Sequence, residues 1–380
     1  MTTTKSPICL LQWWILPFFA FVVTNAVFAQ GLNYPTSKAF TPLYCEGDDL
    51  RWVRPKPIVL YKEVPGSRIE IPNMPPVKEQ GWAPACRAFS LAALLQKYTC
   101  EKWKNDIPDC SHPPPDSEIS YFGMMAYTSV RISGQGSSQV FGKFLDLDNS
   151  SKNWGSAYDL LESFRSHNKL FLEGCKKYDV LFTKPKEELF DRLKDIYKSR
   201  NFKGDGALSG PRLELDRVLS TSANSKIITT ALKKETYEEF LYSVLFEGCR
   251  EESFPVGGWS TRAYPEDGVD VGPADIKAMI LKALQRGKVA WIPSVCLSAG
   301  TDGLCDENQS HAVLVSGYRR AQRGASFIDL FKIHNSWGLQ WQRENNDGWV
   351  DAELFVSSMG RRIKSDGTSR IGSASVIWLE

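Results

Sequence analysis

The 380-residue chain lacks features that would place it in several common classes. Beyond residue 29 no apolar run is long enough to cross a bilayer, which excludes further membrane-spanning helices. An excess of one charge is missing too. Lys and Arg number 46 against 44 Asp and Glu, well mixed, so nothing marks a nucleic-acid footprint. No Cys-x-x-Cys pair and no Cys/His cluster has zinc spacing. Asp146-Leu147-Asp148-Asn149 opens like a calcium loop, but glycine is absent from its sixth place and glutamate from its twelfth. No metal site and no cofactor is therefore expected. Histidine is scarce, with four in the chain.

What is present begins with an address. Ile8 to Ala29 is apolar, and Val27-Phe28-Ala29 supplies small residues at the −3 and −1 places before Gln30. Residues 1–29 read as a secretory signal, in preference to an uncleaved anchor. Export permits disulfides. Of nine cysteines, Cys9 leaves with the signal and Cys86 is reserved for chemistry, which leaves an odd seven. Proximity suggests Cys100 with Cys110, Cys296 with Cys305 and Cys175 with Cys249, although sequence does not fix connectivity. Asn149-Ser150-Ser151 and Asn308-Gln309-Ser310 match the glycosylation pattern.

The chemistry centres on Val77 to Ser90. A polar loop with Gly81 and Pro84 ends at Cys86, and Ala88 to Leu95 follows at helical density. Cys86 thus falls at a helix N-terminus, where unsatisfied N–H groups and the dipole favour a thiolate. An attacking thiolate needs donors for the oxyanion it creates, and the Cys86 N–H and the Gln80 amide are candidates. Ser310-His311-Ala312-Val313-Leu314 places a histidine at the start of an apolar strand, and Lys332-Ile333-His334-Asn335-Ser336-Trp337-Gly338 places an amide beside a tryptophan.

In the order Gln, Cys, His, Asn these stretches resemble the papain-like cysteine peptidases, over about 72–170 and 274–380. The resemblance implies Gln80 as oxyanion donor, Cys86 as nucleophile, His311 as general base and Asn335 as the residue that orients its ring. Trp337 matches the tryptophan that shields the His–Asn contact and borders the substrate cleft. Lys152-Asn153-Trp154-Gly155 resembles the segment whose glycine pairs its backbone with substrate. Gly155 matches that glycine and Trp154 departs from the pattern, which makes them candidate substrate contact and cleft wall, with a helix-start glycine beside a buried tryptophan as the other reading. The other histidines fit the base less well. His112 and His167 read as surface residues, and His334, next to Asn335 in a strand, faces the other way. The chain departs from the family where Ala83, Pro84 and Arg87 stand around the nucleophile. The distance from Cys86 to His311 is 225 residues, against ~130–150 in the family.

The implied fold is α+β, papain-like, with a helical lobe and an antiparallel β lobe on either side of the site. After the signal, residues 30–75 read as a short pro-like segment, with a β-hairpin around Pro65-Gly66. It either covers the cleft until cut or is a permanent strand pair on the surface. Residues 76–170 form the helical lobe, 171–273 a mostly helical insertion and 274–380 the β lobe. Expected helices are 86–98, 117–131, 157–166, 185–200, 236–246 and 274–286; expected strands are 288–294, 311–318, 328–334, 348–350 and 374–379.

The expected activity is hydrolysis of peptide bonds in protein or peptide substrates by an exported, secreted or periplasmic, monomeric enzyme. No nucleic-acid partner is expected, nor any membrane association after signal cleavage. Two other readings stay open: a catalytically silent binding protein on the same fold, and a cysteine acyltransferase or amidase.

Overall fold

The computed structural model describes residues 61–80, 86–103, 106–114, 116–125, 160, 161, 164, 169–173, 186–199, 225–246, 251–253, 261–264, 272–297, 310–359, 361–363, 369–371 and 375–380. In chain order these carry β1 (Lys62–Glu63), β2 (Ile69–Glu70), α1 (Cys86–Lys102), α2 (Tyr121–Met125) and β3 (Lys169–Phe171). Next come α3 (Lys186–Ser199), α4 (Ser225–Leu232), α5 (Tyr237–Phe246), β4 (Glu251–Ser253), β5 (Thr261–Tyr264) and α6 (Pro273–Gln285). The C-terminal part holds β6 (Ala290–Cys296), β7 (Ser310–Arg323), β8 (Ser326–His334), α7 (Gly338–Glu344), β9 (Trp349–Asp351), α8 (Ala352–Ser358), β10 (Arg361–Ile363), β11 (Ser369–Ile371) and β12 (Val376–Leu379). The class is α+β, with an antiparallel sheet in the order β5-β12-β6-β7-β8-β9. Residues 201–224, 126–131 and most of 157–166 lie outside the described residues.

The sheet is organised on β7, whose apolar Ala312 to Val315 is buried on both faces. The start of β7 pairs with β6, and the part from Leu314 onward pairs with β8. Beyond the end of β6 the same edge of β7 is taken by β1 and β2. Lys62 lies opposite Gln322, Glu63 opposite Ala321, Ile69 opposite Tyr318 and Glu70 opposite Gly317.

This corrects the hairpin expected around Pro65-Gly66. The turn exists, with Gly66 at φ 75° and a Ser67 N–H to Val64 O bond of 3.1 Å. Its two arms do not pair with each other; both run along β7 as one interrupted edge strand. An open edge on a long strand is a liability, and Val64 N–H to Arg320 O at 2.9 Å and Ile71 N–H to Ser316 O at 2.8 Å close it.

Helix α1 is buried from Cys86 to Cys100, so no polar face marks it as a surface helix. It packs between α2 and the strands β6 and β7. The Cys100–Cys110 disulfide ties its last turns to the following loop, with Cα atoms 5.6 Å apart. The other two suggested pairings lie outside the described residues. Helix α6 starts at Pro273, where Asp275 accepts the Gly272 N–H at 3.2 Å, a capping arrangement legible in Gly-Pro-Ala-Asp.

The long stretch between α2 and α6 is closed at its root, because β3 pairs with β4. Within it Tyr197 of α3 meets Tyr237 and Phe240 of α5 at ring distances of 5.3 and 5.4 Å. Leu193, Phe240 and Leu241 belong to the same hydrophobic core as α1 and the sheet. Strand β5, placed by sequence inside the insertion, instead extends the main sheet through β12. Among the described residues no helix is long and apolar enough to cross a membrane.

Candidate active site

Cys86 is the first residue of α1, wholly buried, and packs against Ala312. That contact sets the N-terminal turn of α1 beside the start of β7, one residue from His311. The orphan N–H groups of that turn lower the cost of a negative sulfur. In this structure Cys86 Sγ is engaged in a disulfide whose partner lies outside the described residues. The sequence reading reserved this thiol for chemistry, and the bonded form is its oxidised state. Gly81 to Ala85, and with them the departures at Ala83 and Pro84, lie outside the described residues, as do Trp154 and Gly155.

His311 Nε2 and Asn335 Oδ1 are 2.6 Å apart in a buried setting. Ser336 N–H also donates to that Oδ1, at 2.8 Å. An amide oxygen accepts only, so Nε2 carries the proton and donates. Nδ1 is then the basic nitrogen of the neutral ring. Trp337 stacks on the imidazole at 4.2 Å between ring centroids and 27° between planes, and Trp341 meets Trp337 edge-on at 6.0 Å. Trp337 thus covers one face of the imidazole, and Trp341 backs Trp337. Burial lowers the His311 pKa to about 4 against the opposing effect of the Asn335 bond, so in this state the ring is neutral at pH 7.

Gln80 arrives by backbone pairing. Its N–H donates to Ser336 O at 2.8 Å, Gly338 N–H donates to Lys78 O at 3.1 Å, and Glu79 bridges Trp337. Ser336 Oγ donates to Gln80 Oε1 at 2.5 Å, which makes Nε2 the donor end of the amide. Lys78 anchors the segment a second time, with its ammonium 2.6 Å from Glu118. One loop, 335–338, therefore holds both the ring-orienting amide and the glutamine. The sequence reading gave Ser336 and Lys78 no role; their only signal was adjacency to Asn335 and Gln80.

Of the remaining histidines, His167 lies outside the described residues. His112 is exposed and meets Asp109 at 3.0 Å. His334 is buried opposite Leu314, and burial lowers its pKa to about 4, with Lys332 adding to the shift. Among the described residues no group of three His, Cys, Asp or Glu side chains is placed to hold a metal ion.

Loop 335–338 thus brings His311, Asn335 and Gln80 together beside the first turn of α1, on an α+β scaffold. No family model and no curated protein matches the chain. Among solved structures it is similar to xylellain, a cysteine protease from Xylella fastidiosa. Identity is 15%, over 91% of this chain and 99% of that one, with a TM-score of 0.40. It is similar also to the SERA5 proenzyme from Plasmodium falciparum, at 11% identity over 80% of this chain and a TM-score of 0.37. A third likeness is to the proform of the Amb a 11 cysteine protease, a major ragweed pollen allergen, at 13% identity over 82% of this chain and a TM-score of 0.37. The chain spans 62% and 64% of the second and third.

Proposed function

We propose that the chain is an exported papain-like cysteine peptidase. The observation that carries the reading is loop 335–338, which holds His311 through Asn335 at 2.6 Å and Gln80 through Ser336 at 2.5 Å, beside the turn that begins with Cys86. Once Cys86 is reduced, His311 Nδ1 takes its proton. The thiolate attacks a peptide carbonyl, and a C–S bond forms as the C=O π pair moves to oxygen. Gln80 Nε2 and the Cys86 N–H hold that oxyanion. Collapse breaks the C–N bond, and the imidazolium gives its proton to the leaving amine. Water, deprotonated by His311, then cleaves the thioester and restores the thiol.

Protein or peptide is the substrate class, and Trp154, Gly155 and Trp337 are the proposed contacts for it. Export rests on the Val27-x-Ala29 signal pattern. Of the pro-like segment 30–75, Lys62 to Ile71 runs along β7, so a removable cover would lie before Lys62.

The test is labelling with an epoxide inhibitor directed at thiol peptidases after treatment with a dithiol reductant, with Cys86→Ala as control. A single adduct on Cys86 is the expected result. No adduct in the reduced protein would favour the silent binding protein. An added amine acceptor separates the enzyme classes, since only hydrolysis products are expected from a peptidase.

A further inference from the structure

A second link between α1 and the sheet lies one turn past Cys86. Trp291 of β6 is among the largest fully buried side chains, and its Nε1–H donates to Ser90 Oγ at 2.8 Å. Ser90 Oγ in turn donates to Arg87 O at 3.2 Å, inside the first turn of the helix. A buried indole N–H needs a partner, and here the partner belongs to the turn that carries the nucleophile.

The spacing makes this link a companion of the Cys86–Ala312 contact. Trp291 lies directly opposite Leu314 in the β6–β7 ladder, and cross-strand partners point to the same face. Ala312 is two residues from Leu314 and shares that face. Along the strand the two contacts are about 6.8 Å apart. Along the helix, Cys86 and Ser90 are four residues apart, a rise of about 6 Å on one face. The helix and the strand therefore meet at two successive points, one under Cys86 and one under Ser90. Between them β6 slips its register, from Ile292 to Val295, opposite Ala312. The ladder is thus interrupted where Cys86 packs, and the polar contact at Ser90 ties the helix to β6 one turn further on.

We infer that Trp291 and Ser90 are positioning residues, which set the height of Cys86 against His311 through the Trp291 Nε1–Ser90 Oγ bond. The inference rests on the proposed Cys86–His311 pair. Without the bond the first turn of α1 slides along β7, and the sulfur and Nδ1 lose the registration that stabilises thiolate against imidazolium.

The test is the pH profile of Cys86 alkylation by iodoacetamide in the reduced full-length protein, read by peptide mass. Wild type, Ser90→Ala, Ser90→Thr and Trp291→Phe are compared, with thermal unfolding recorded for each. Wild type is expected to label below pH 7 through its ion pair. Ser90→Ala and Trp291→Phe are expected to label about tenfold more slowly at pH 6, the worth of one hydrogen bond in registration, and at the wild-type rate at pH 9. Ser90→Thr keeps the hydroxyl and restores the acid limb. Variants that lose thermal stability yet keep the wild-type acid limb would overturn the inference, because the bond would then be structural alone. A wild-type profile that follows an ordinary thiol near pH 8.5 would instead overturn the ion pair, and the inference with it. If Ser90→Ala does not fold, Trp291→Phe and Ser90→Thr carry the comparison.

Discussion

Acid should destabilise the protein earlier than carboxylate titration alone would. His311 and His334 each have an ordinary pKa of 6.5 that burial lowers to about 4 in the folded chain. A folded pKa below the unfolded one means that, between the two values, the unfolded state binds protons which the native state refuses. The stabilisation is fully present above pH 6.5 and is lost as pH falls toward 4. Each pH unit between the two values is worth about 1.4 kcal/mol, so each histidine accounts for about 3 kcal/mol. A typical domain has only about 5–15 kcal/mol in all.

Asp329 titrates in a separate window. Lys277 Nζ at 2.6 Å and Arg320 Nε at 2.7 Å hold its pKa well below the usual carboxylate range, against a desolvation that acts the other way. Its contribution persists through the histidine window and fades only below pH 4. The assay is urea unfolding at half-unit intervals from pH 7.5 to 4.5, on the oxidised protein. The expected result is a fall of about 2–3 kcal/mol per pH unit through the middle of that range, halved in His334→Asn. Reduction of the Cys86 disulfide should remove the His311 share, because a neighbouring thiolate stabilises the imidazolium in the native state. Stability that stays flat from pH 7 to 5, in wild type and in His334→Asn, would refute the argument.

Gln80→Ala should lower kcat on a general peptide substrate about 10²–10³-fold with little change in KM, whereas Ser336→Ala, which frees the amide to rotate, should cost about five- to tenfold. Equal effects of the two on KM alone would count against an oxyanion role. Gly338 sits at φ 73°, a left-handed conformation that strains any residue with a Cβ, so Gly338→Ala should destabilise by about 2 kcal/mol in chemical unfolding and loosen Gln80 with it. N-terminal sequencing of the inhibitor-reactive form should find residues 61–80 retained, since Glu70 pairs with Lys332 at 2.5 Å and Lys97 Nζ holds Pro72 O at 2.7 Å. A reactive form that begins after Arg68 would show that the edge strand is dispensable.

What sequence made legible here is what a local pattern can carry. Ala88 to Leu95 and Val313 to Val315 are apolar runs that declare α1 and β7, Ile328 to Ile333 declares β8 although Asp329 and Lys332 interrupt it, and the helix expected over 274–286 is α6 to within a residue. The turn at Pro65-Gly66 was legible for the same reason, yet the hairpin drawn from it was not formed. Turn chemistry fixes how the chain bends, but the partner of each arm is decided by which edge is open, and the open edge belonged to β7, about 250 residues away. The site divides along the same line. Gln80, His311 and Asn335 stand in stretches that announce themselves. The long-range bonds around them join Ser336 to Gln80 across 256 positions and Trp291 to Ser90 across 201, between residue types common in any core. A tryptophan in an apolar strand and a serine in an apolar helix read separately as packing. Only the sheet register, which brings Trp291 opposite Leu314 and two residues along from Ala312, turns them into a contact one helical turn from Cys86.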